Sequence, residues 1–432
     1  FFIGHSSQAA PHLHCHVSVL APPQRAASQP YNIPSAPPSR SGSYVIKTTI
    51  YSDPLCVCAI QWDLVCGRYW LVPLEEVCFI LGVLTGYLGL GYMADRLGRS
   101  RTLLISLVLT VVFGVLACVS PSPSIFIVMR FCLAAASAGV YLTLYITRVE
   151  LCEPSLRLLA TMLAGLMTVI GELLLLAVAL GCHTWRALLG IGTAPLTLFL
   201  SYGYLAPSSS HCLFFLEFLN SRNIWKNICV LGFTSFISHG ISQCYNSFRG
   251  DVRGTASSFY WTYLLSVCAE ACSWPLLWTT ADRCGRRGIL LLFMTLTGLA
   301  SLILLGLAAI TVFSVLGLFS SQATASLTIL FAAEIMPTII RGTSVGIVLA
   351  LGCVGRLSWP LMDLRNHYGY FLHHVVYSSL ALLAVLSILL LPESKRKPLP
   401  QTLAEGEQYR RPPLGRRRRD NVPLLATPNP ET

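Results

Sequence analysis

Gly91-Tyr92-Met93-Ala94-Asp95-Arg96-Leu97-Gly98-Arg99-Ser100-Arg101 is a short charged hinge between two apolar runs. Each run has the length of about 20 residues that a helix needs to cross a bilayer. The hinge has an echo, Ala281-Asp282-Arg283-Cys284-Gly285-Arg286-Arg287, whose aspartate stands 187 positions after the first. Both copies place an acid and a cluster of arginines where the chain leaves one apolar run and enters the next, the pattern of a tight cytoplasmic turn.

The composition agrees with a chain that lives in lipid. Hydrophobic residues make up 54% and charged residues only 11%, against roughly 25% charged in a soluble domain, and the mean hydropathy is +0.64. The net charge of +11 would point a soluble protein towards nucleic acid. Here the arginines sit in the hinges and after Leu391, where topology accounts for them, so no nucleic-acid partner is expected. Of the 16 cysteines most lie in apolar runs, where a thiol acts as a small hydrophobe. Cys15, Cys56, Cys58 and Cys66 share one polar segment and leave three pairings open. No Asn-x-Ser/Thr sequon occurs, and no Walker loop, His-Glu-x-x-His or Gly-x-Ser-x-Gly directs the reading to an enzyme, a metal or a cofactor.

Taken in order, the chain predicts an all-α membrane protein. Phe1-Phe2-Ile3-Gly4 reads as the stump of a helix, and residues 11–70, rich in Pro, Ser and Ala, as a long external loop. Spans are expected at 77–94, 102–119, 124–147, 158–180, 185–205, 227–248, 258–280, 288–307, 312–333, 343–362 and 370–391. This gives eleven spans, with the first of twelve missing or truncated, because an eleven-span chain with its carboxyl end inside leaves its amino end outside without a signal peptide. The corresponding units are 1–74 (helix remnant and loop), 75–205 and 227–391 (two half-bundles), 206–226 (a short cytoplasmic connection) and 392–432 (a basic tail). Arg249 and Arg253 are the main cations left on the outer side.

A second motif pair supports duplication. Glu150 and Arg157 are seven residues apart, as are Glu334 and Arg341, and the two pairs are offset by 184. Two matched halves with a solute site between them, one rocking against the other, is the plan of many transporters. Asp-Arg-x-Gly-Arg after the second helix of each half resembles the major facilitator superfamily. Further stretches resemble the solute carrier 22 family of organic anion, cation and zwitterion transporters: Pro11-His12-Leu13-His14-Cys15, Gln61-Trp62-Asp63-Leu64-Val65-Cys66, Glu334 through Arg341, and Leu391-Pro392-Glu393-Ser394-Lys395-Arg396-Lys397-Pro398-Leu399-Pro400. The similarity covers roughly residues 11 to 403, and its departures suggest an orphan branch. Ala206-Pro207-Ser208-Ser209-Ser210-His211 replaces the family's Pro-Glu-Ser-Pro-Arg-Trp, and the loop that follows is nearly gone. The resemblance implies two pseudo-symmetric helical bundles, a small organic ion as partner, a plasma-membrane location and no cofactor.

Arg130, Glu172, Glu270 and Arg356 fall inside spans, where a charge requires a partner or water. Depths counted at 1.5 Å per residue pair Arg130 with Glu172, and Glu270 with Arg356 if the arginine leans inward. Each pair is either internal glue or, for Arg356 and Glu270, a solute contact. By resemblance, Cys353 occupies the family's charge-discriminating position. Arg356 lies one turn on, a lean towards anions. Tyr141, Tyr145, Tyr245 and Tyr263 offer aromatic faces to an organic ion, whereas Tyr260, Trp261 and Trp359 read as interfacial anchors and His239 as a carbonyl-satisfied histidine.

Asp95, Arg96, Arg99, Glu150, Arg157, Asp282, Arg283, Arg286, Glu334 and Arg341 form the expected cytoplasmic gate, each aspartate bonding loop arginines or a helix amino end. Arg416 to Arg419 belong to a solvated tail. Two functions follow from this reading: a carrier of small organic ions, and a transport-inactive relative acting as a receptor or scaffold that binds a protein ligand through its extracellular loop.

Overall fold

The computed structural model describes residues 70–182, 184–200, 221–253, 256–304, 310–363, 370–395 and 397–408. The external loop with its four cysteines, the 201–220 connection and the Arg416–Arg419 run lie outside the described residues, as do the side chains of Arg249, Arg253, Tyr260, Trp261, Asp282 and Trp359.

Among the described residues, eleven helices coincide with apolar runs picked out from the sequence. The first half holds α1 (Leu71–Arg96), α2 (Arg99–Val119), α3 (Pro123–Leu151), α4 (Arg157–Gly181) and α5 (Trp185–Leu200). The second holds α6 (Arg222–Arg253), α7 (Ala256–Cys284), α8 (Arg286–Leu304), α9 (Ile310–Ile335), α10 (Arg341–Asp363) and α11 (Tyr370–Ile388). A short α12 (Leu403–Gln408) follows. Seven of the described helices, α1 to α4 and α8 to α10, are long and apolar enough to cross a membrane, and α5 and α11 are shorter apolar helices.

Local chemistry sets the helix ends. Gly98 and Gly285 have φ of 90° and 85°, a region open to glycine and closed to most side chains, so both hinges turn at the same step of the motif. Ser122 caps α3, its hydroxyl accepting from Ile125 N, with Pro123 at the first helical position. Buried hydroxyls inside the spans donate to their own helix one turn back, as Ser106 and Thr110 do, at 2.7 Å each.

Some predicted ends move. α1 begins at Leu71 rather than 77, α3 continues through Arg148-Val149-Glu150-Leu151, and α6 begins at Arg222 rather than 227. Charged residues that the sequence reading gives to turns are carried on helix ends, because partners on neighbouring helices hold them there.

The packing repeats. α1 lies on α3, α2 on α3 and α2 on α5; in the second half α7 lies on α9, α8 on α9 and α8 on α11. The halves meet along two seams, α1 with α10 and α4 with α7. Exchanging equivalent helices turns one seam into the other, the mark of a pseudo-two-fold relation. Gly82 and Gly86 let α1 approach the α3 backbone at Phe131 and Ala135, the small-residue packing used in lipid.

Candidate functional site between the half-bundles

On the arginine-rich face, two matching ion clusters close the molecule. Arg99 donates to the Ala94 carbonyl at 3.2 Å and meets Glu150 at 3.1 Å, and Arg286 donates to the Ala281 carbonyl at 3.3 Å and meets Glu334 at 3.5 Å. Arg341 donates to the Met336 carbonyl at 3.0 Å, and Arg157 to the Cys152 carbonyl at 3.2 Å. Arg341 then reaches across the seam to Glu150 at 2.8 Å. Arg157 acts electrostatically on Glu334 in the mirror arrangement.

Asp95 is fully buried and sits on the amino end of α10. It accepts from Gly342 N at 2.9 Å, Thr343 N at 2.6 Å and Thr343 Oγ1 at 2.8 Å, and Arg99 lies 3.3 Å away. A carboxylate at a helix amino end is held by orphan N–H groups and by the dipole together. Of the predicted gate residues, Arg96 stays outside the network, its guanidinium 5.1 Å from the Tyr92 ring centre. Arg283 is exposed and contributes its carbonyl to Lys395.

Sequence reasoning missed the strap that crosses this face after α11. Glu393 accepts from Arg286 N at 2.9 Å and Arg287 N at 3.2 Å, capping α8. Ser394 donates to Glu334 at 2.6 Å, and the Lys397 carbonyl accepts from Arg157 at 3.1 Å. Pro400 O accepts from Thr338 N at 3.0 Å, and Glu407 caps α6 through Asn223 N at 2.8 Å. The described residues between 391 and 408, in the stretch read as the basic cytoplasmic tail, tie α4 of the first half to α6 and α8 of the second.

Between the seams lies a charged and aromatic centre. Glu270 on α7 is acted on by Glu172 on α4 and Arg356 on α10, and Trp274 stands one turn further along the same helix. Arg356 also acts on Glu172, Tyr141, Tyr87, Cys353 and His239. Tyr141 is 42% exposed, yet its ring lies 6.4 Å from that of Tyr87 and 6.1 Å from that of Tyr145, both buried. Its exposure therefore opens onto an interior cleft rather than onto lipid. Tyr263 feels Glu172 and Glu270 together.

Two of the residues singled out from sequence go elsewhere. Arg130 does not pair with Glu172: its Nε lies 3.0 Å from Glu75 on α1, with Phe79 and Phe126 against the guanidinium at 5.0 and 5.6 Å. The early start of α1 puts Glu75 inside the membrane layer. Tyr245 is fully buried in the second half, where it shares a hydrogen bond with Ser301 Oγ at 2.9 Å and Gly317 gives its ring room. His239 sits 2.8 Å from the Ser235 carbonyl of its own helix.

Comparison with known proteins agrees with this architecture. The sequence profile described as Major Facilitator Superfamily matches residues 74–360. Human solute carrier family 22 member 17 is 40% identical, over 98% of this chain and 81% of the relative. Human solute carrier family 22 member 23 is 32% identical, over 85% of this chain and 64% of the relative. The solved structure of the proton:xylose symporter XylE bound to 6-bromo-6-deoxy-D-glucose aligns with a TM-score of 0.65 at 17% identity, covering 83% of this chain and 95% of that one, a likeness of fold. Repeated packing, paired hinges and these relatives lead to one conclusion: the chain belongs to the Major Facilitator Superfamily and, within it, to solute carrier family 22 of organic ion transporters.

Proposed function

We propose that this chain carries small organic ions across the plasma membrane by alternating access, as a secondary-active or facilitative transporter of an orphan branch of its family. The observation behind this reading is the central cluster: ionisable side chains from α4, α7 and α10, drawn from both halves, converge beside tyrosines on a cleft. A solute bound there touches both half-bundles at once, which lets binding bias their relative position. The gate supports the second requirement. Asp95, Glu150 and Arg341 join the halves on the arginine-rich face through contacts that must part when that side opens.

The anion lean rests on Arg356. Two carboxylates already face that guanidinium, so its charge is matched before any solute arrives. The test is uptake of a mixed panel of organic anions and cations by cells expressing the chain. Saturable uptake of at least one, lost in Glu270→Ala and Arg356→Ala at unchanged surface expression, is expected. Absence of uptake for every member of the panel contradicts the reading.

A further inference from the structure

The two hinge motifs are alike in sequence and unlike in what surrounds them. In the first, Arg99 is taken up by Asp95 and Glu150, and Arg96 lies over the Tyr92 ring. In the second, Arg286 is taken up by Glu334, and the strap after α11 brings further cations to the same corner. Lys395 Nζ donates to the Arg283 carbonyl near the end of α7 at 3.1 Å, and Arg287 Nη1 donates to the Leu391 carbonyl beyond α11 at 3.3 Å. Arg283 is exposed, and Arg287 and Lys395 are half-buried. Three separate segments thus converge here, and the described side-chain bonds of Arg287 and Lys395 go to carbonyls rather than to carboxylates. Glu393 is the acid described among them, and its two oxygens are engaged by the backbone N–H groups of Arg286, Arg287 and Lys395.

Topology alone asks for cations in this turn. It does not ask for the surface that leads up to them. Leu276, Thr279 and Arg283 are spaced by three and four residues on α7, and all are exposed, so they form one stripe. That stripe lies on the side of α7 away from Glu270 and Trp274. It therefore faces lipid rather than the cleft. Trp278, 43% exposed, stands about 8 Å deeper along α7 than Arg283. Beside it α8, which packs on both α7 and α11, shows Leu292, and α11 shows Leu389 and Leu390, all exposed. An apolar, tryptophan-edged surface running up to a corner of cations is complementary to a molecule with acyl chains below and a negative head above.

We propose that the corner between α7, α8 and the strap binds one anionic phospholipid of the leaflet on the arginine-rich side, its headgroup phosphate held by Arg283, Arg287 and Lys395 and its chains laid along α7 and α8. The site lies on the outer surface of the second half-bundle, away from the central cleft, and stands whatever solute the chain carries. Free phosphate would meet the same cations, but only a lipid also covers the stripe below them.

The experiment uses the full chain in phosphatidylcholine vesicles. Quenching of tryptophan by phosphatidylserine with brominated chains is compared with quenching by brominated phosphatidylcholine at the same mole fraction, and the part lost in W278F reports lipid beside Trp278. A preference for phosphatidylserine in that part is expected, weakened by salt. A cation near an anionic surface contributes a factor of about five. R283Q therefore lowers the preference about fivefold, and R283Q/R287Q/K395Q lowers it roughly tenfold or more, in protein of unchanged elution profile, while R101Q on the first hinge leaves it unchanged. Equal quenching by the two lipids in the wild-type chain, or a preference untouched by R283Q, overturns the site. A preference lost equally in R101Q marks a diffuse attraction to the whole basic face and overturns it too. A preference abolished by millimolar inorganic phosphate at constant ionic strength assigns the corner to a free anion, which overturns the lipid assignment.

Discussion

Along the α1·α10 seam, Gly91, Gly342 and Gly346 bring backbone against backbone; along its pseudo-symmetric counterpart, α4·α7, Gly165 meets a tryptophan ring and the Glu172 carboxyl acts electrostatically on Glu270. The first seam has no room to hold anything. An added Cβ on Gly91 would stand 2.8 Å from the Gly342 carbonyl oxygen, and one on Gly342 2.6 Å from that of Gly91. Asp95 and Arg341 then fasten its end at the arginine-rich face. The second seam trades close approach for polar side chains, which lipid would punish and only a cleft between bundles can shelter. The two pseudo-equivalent places thus differ in chemistry: one packs backbone on backbone, the other carries polar and aromatic side chains.

The sharpest way to break this comparison is Arg341→Ala. It removes the ion pair across the seam, leaves Glu150 held by Arg99 alone and frees the Met336 carbonyl; the loss is about 3 kcal/mol, the low end for breaking a buried pair, and a fall in thermal stability of detergent-purified protein is the expected result. Its counterpart Arg157→Ala loses hydrogen bonds to two carbonyls while Glu334 keeps Arg286 and Ser394, so a smaller loss of about 1–3 kcal/mol is expected in the same assay.

Next comes Gly346→Val, whose side chain would drive into the Tyr87 carbonyl of α1. Overpacking costs about 1–3 kcal/mol, and surface expression is the readout. Gly165→Val meets an indole ring rather than backbone, and a side chain can turn aside. Less loss of expression but a clear loss of uptake is expected, because the displaced ring belongs to Trp274, which acts on Glu270. Equal behaviour of the two glycine variants would erase the distinction between the seams. Smallest is Glu393→Gln, which weakens the cap on α8 without emptying the site. A cap of this kind is worth about 0.5–2 kcal/mol, and a modest drop in melting temperature with uptake retained is expected.

Much of the fold is legible in the sequence because its determinants are charges and glycines at fixed spacing. The two hinges, the repeated Glu–Arg pairs and the apolar runs all announce helix ends. Arg130 shows where that legibility stops. Counting depth from span ends finds Glu172 as its mate, since Glu75 and Glu76 lie just outside the expected start at residue 77. Hydropathy discounts a buried acid at a helix end, although Arg130, itself flanked by two phenylalanine rings, pairs with it.

The Glu172–Glu270 approach is hidden for a different reason. Pairing acids with bases is a sound rule for single ion pairs, but one arginine here serves two acids on separate helices. The strap at 391–408 is hidden because many of its contacts use main-chain carbonyls, such as those of Lys397, Pro400 and Gly406, and these leave no pattern in side chains.

In alternating access the half-bundles move as two units about these seams. Spin labels introduced through unnatural amino acids at the exposed positions 155 and 284 report the separation of the first and second halves on the arginine-rich face, and labels at 101 and 155 report a distance within the first half. Two populated distances are expected for 155–284, the longer one enriched by Arg341→Ala, with a single unchanged distance for 101–155. One fixed distance for 155–284 in both proteins, or a 101–155 distance that changes with it, would contradict it.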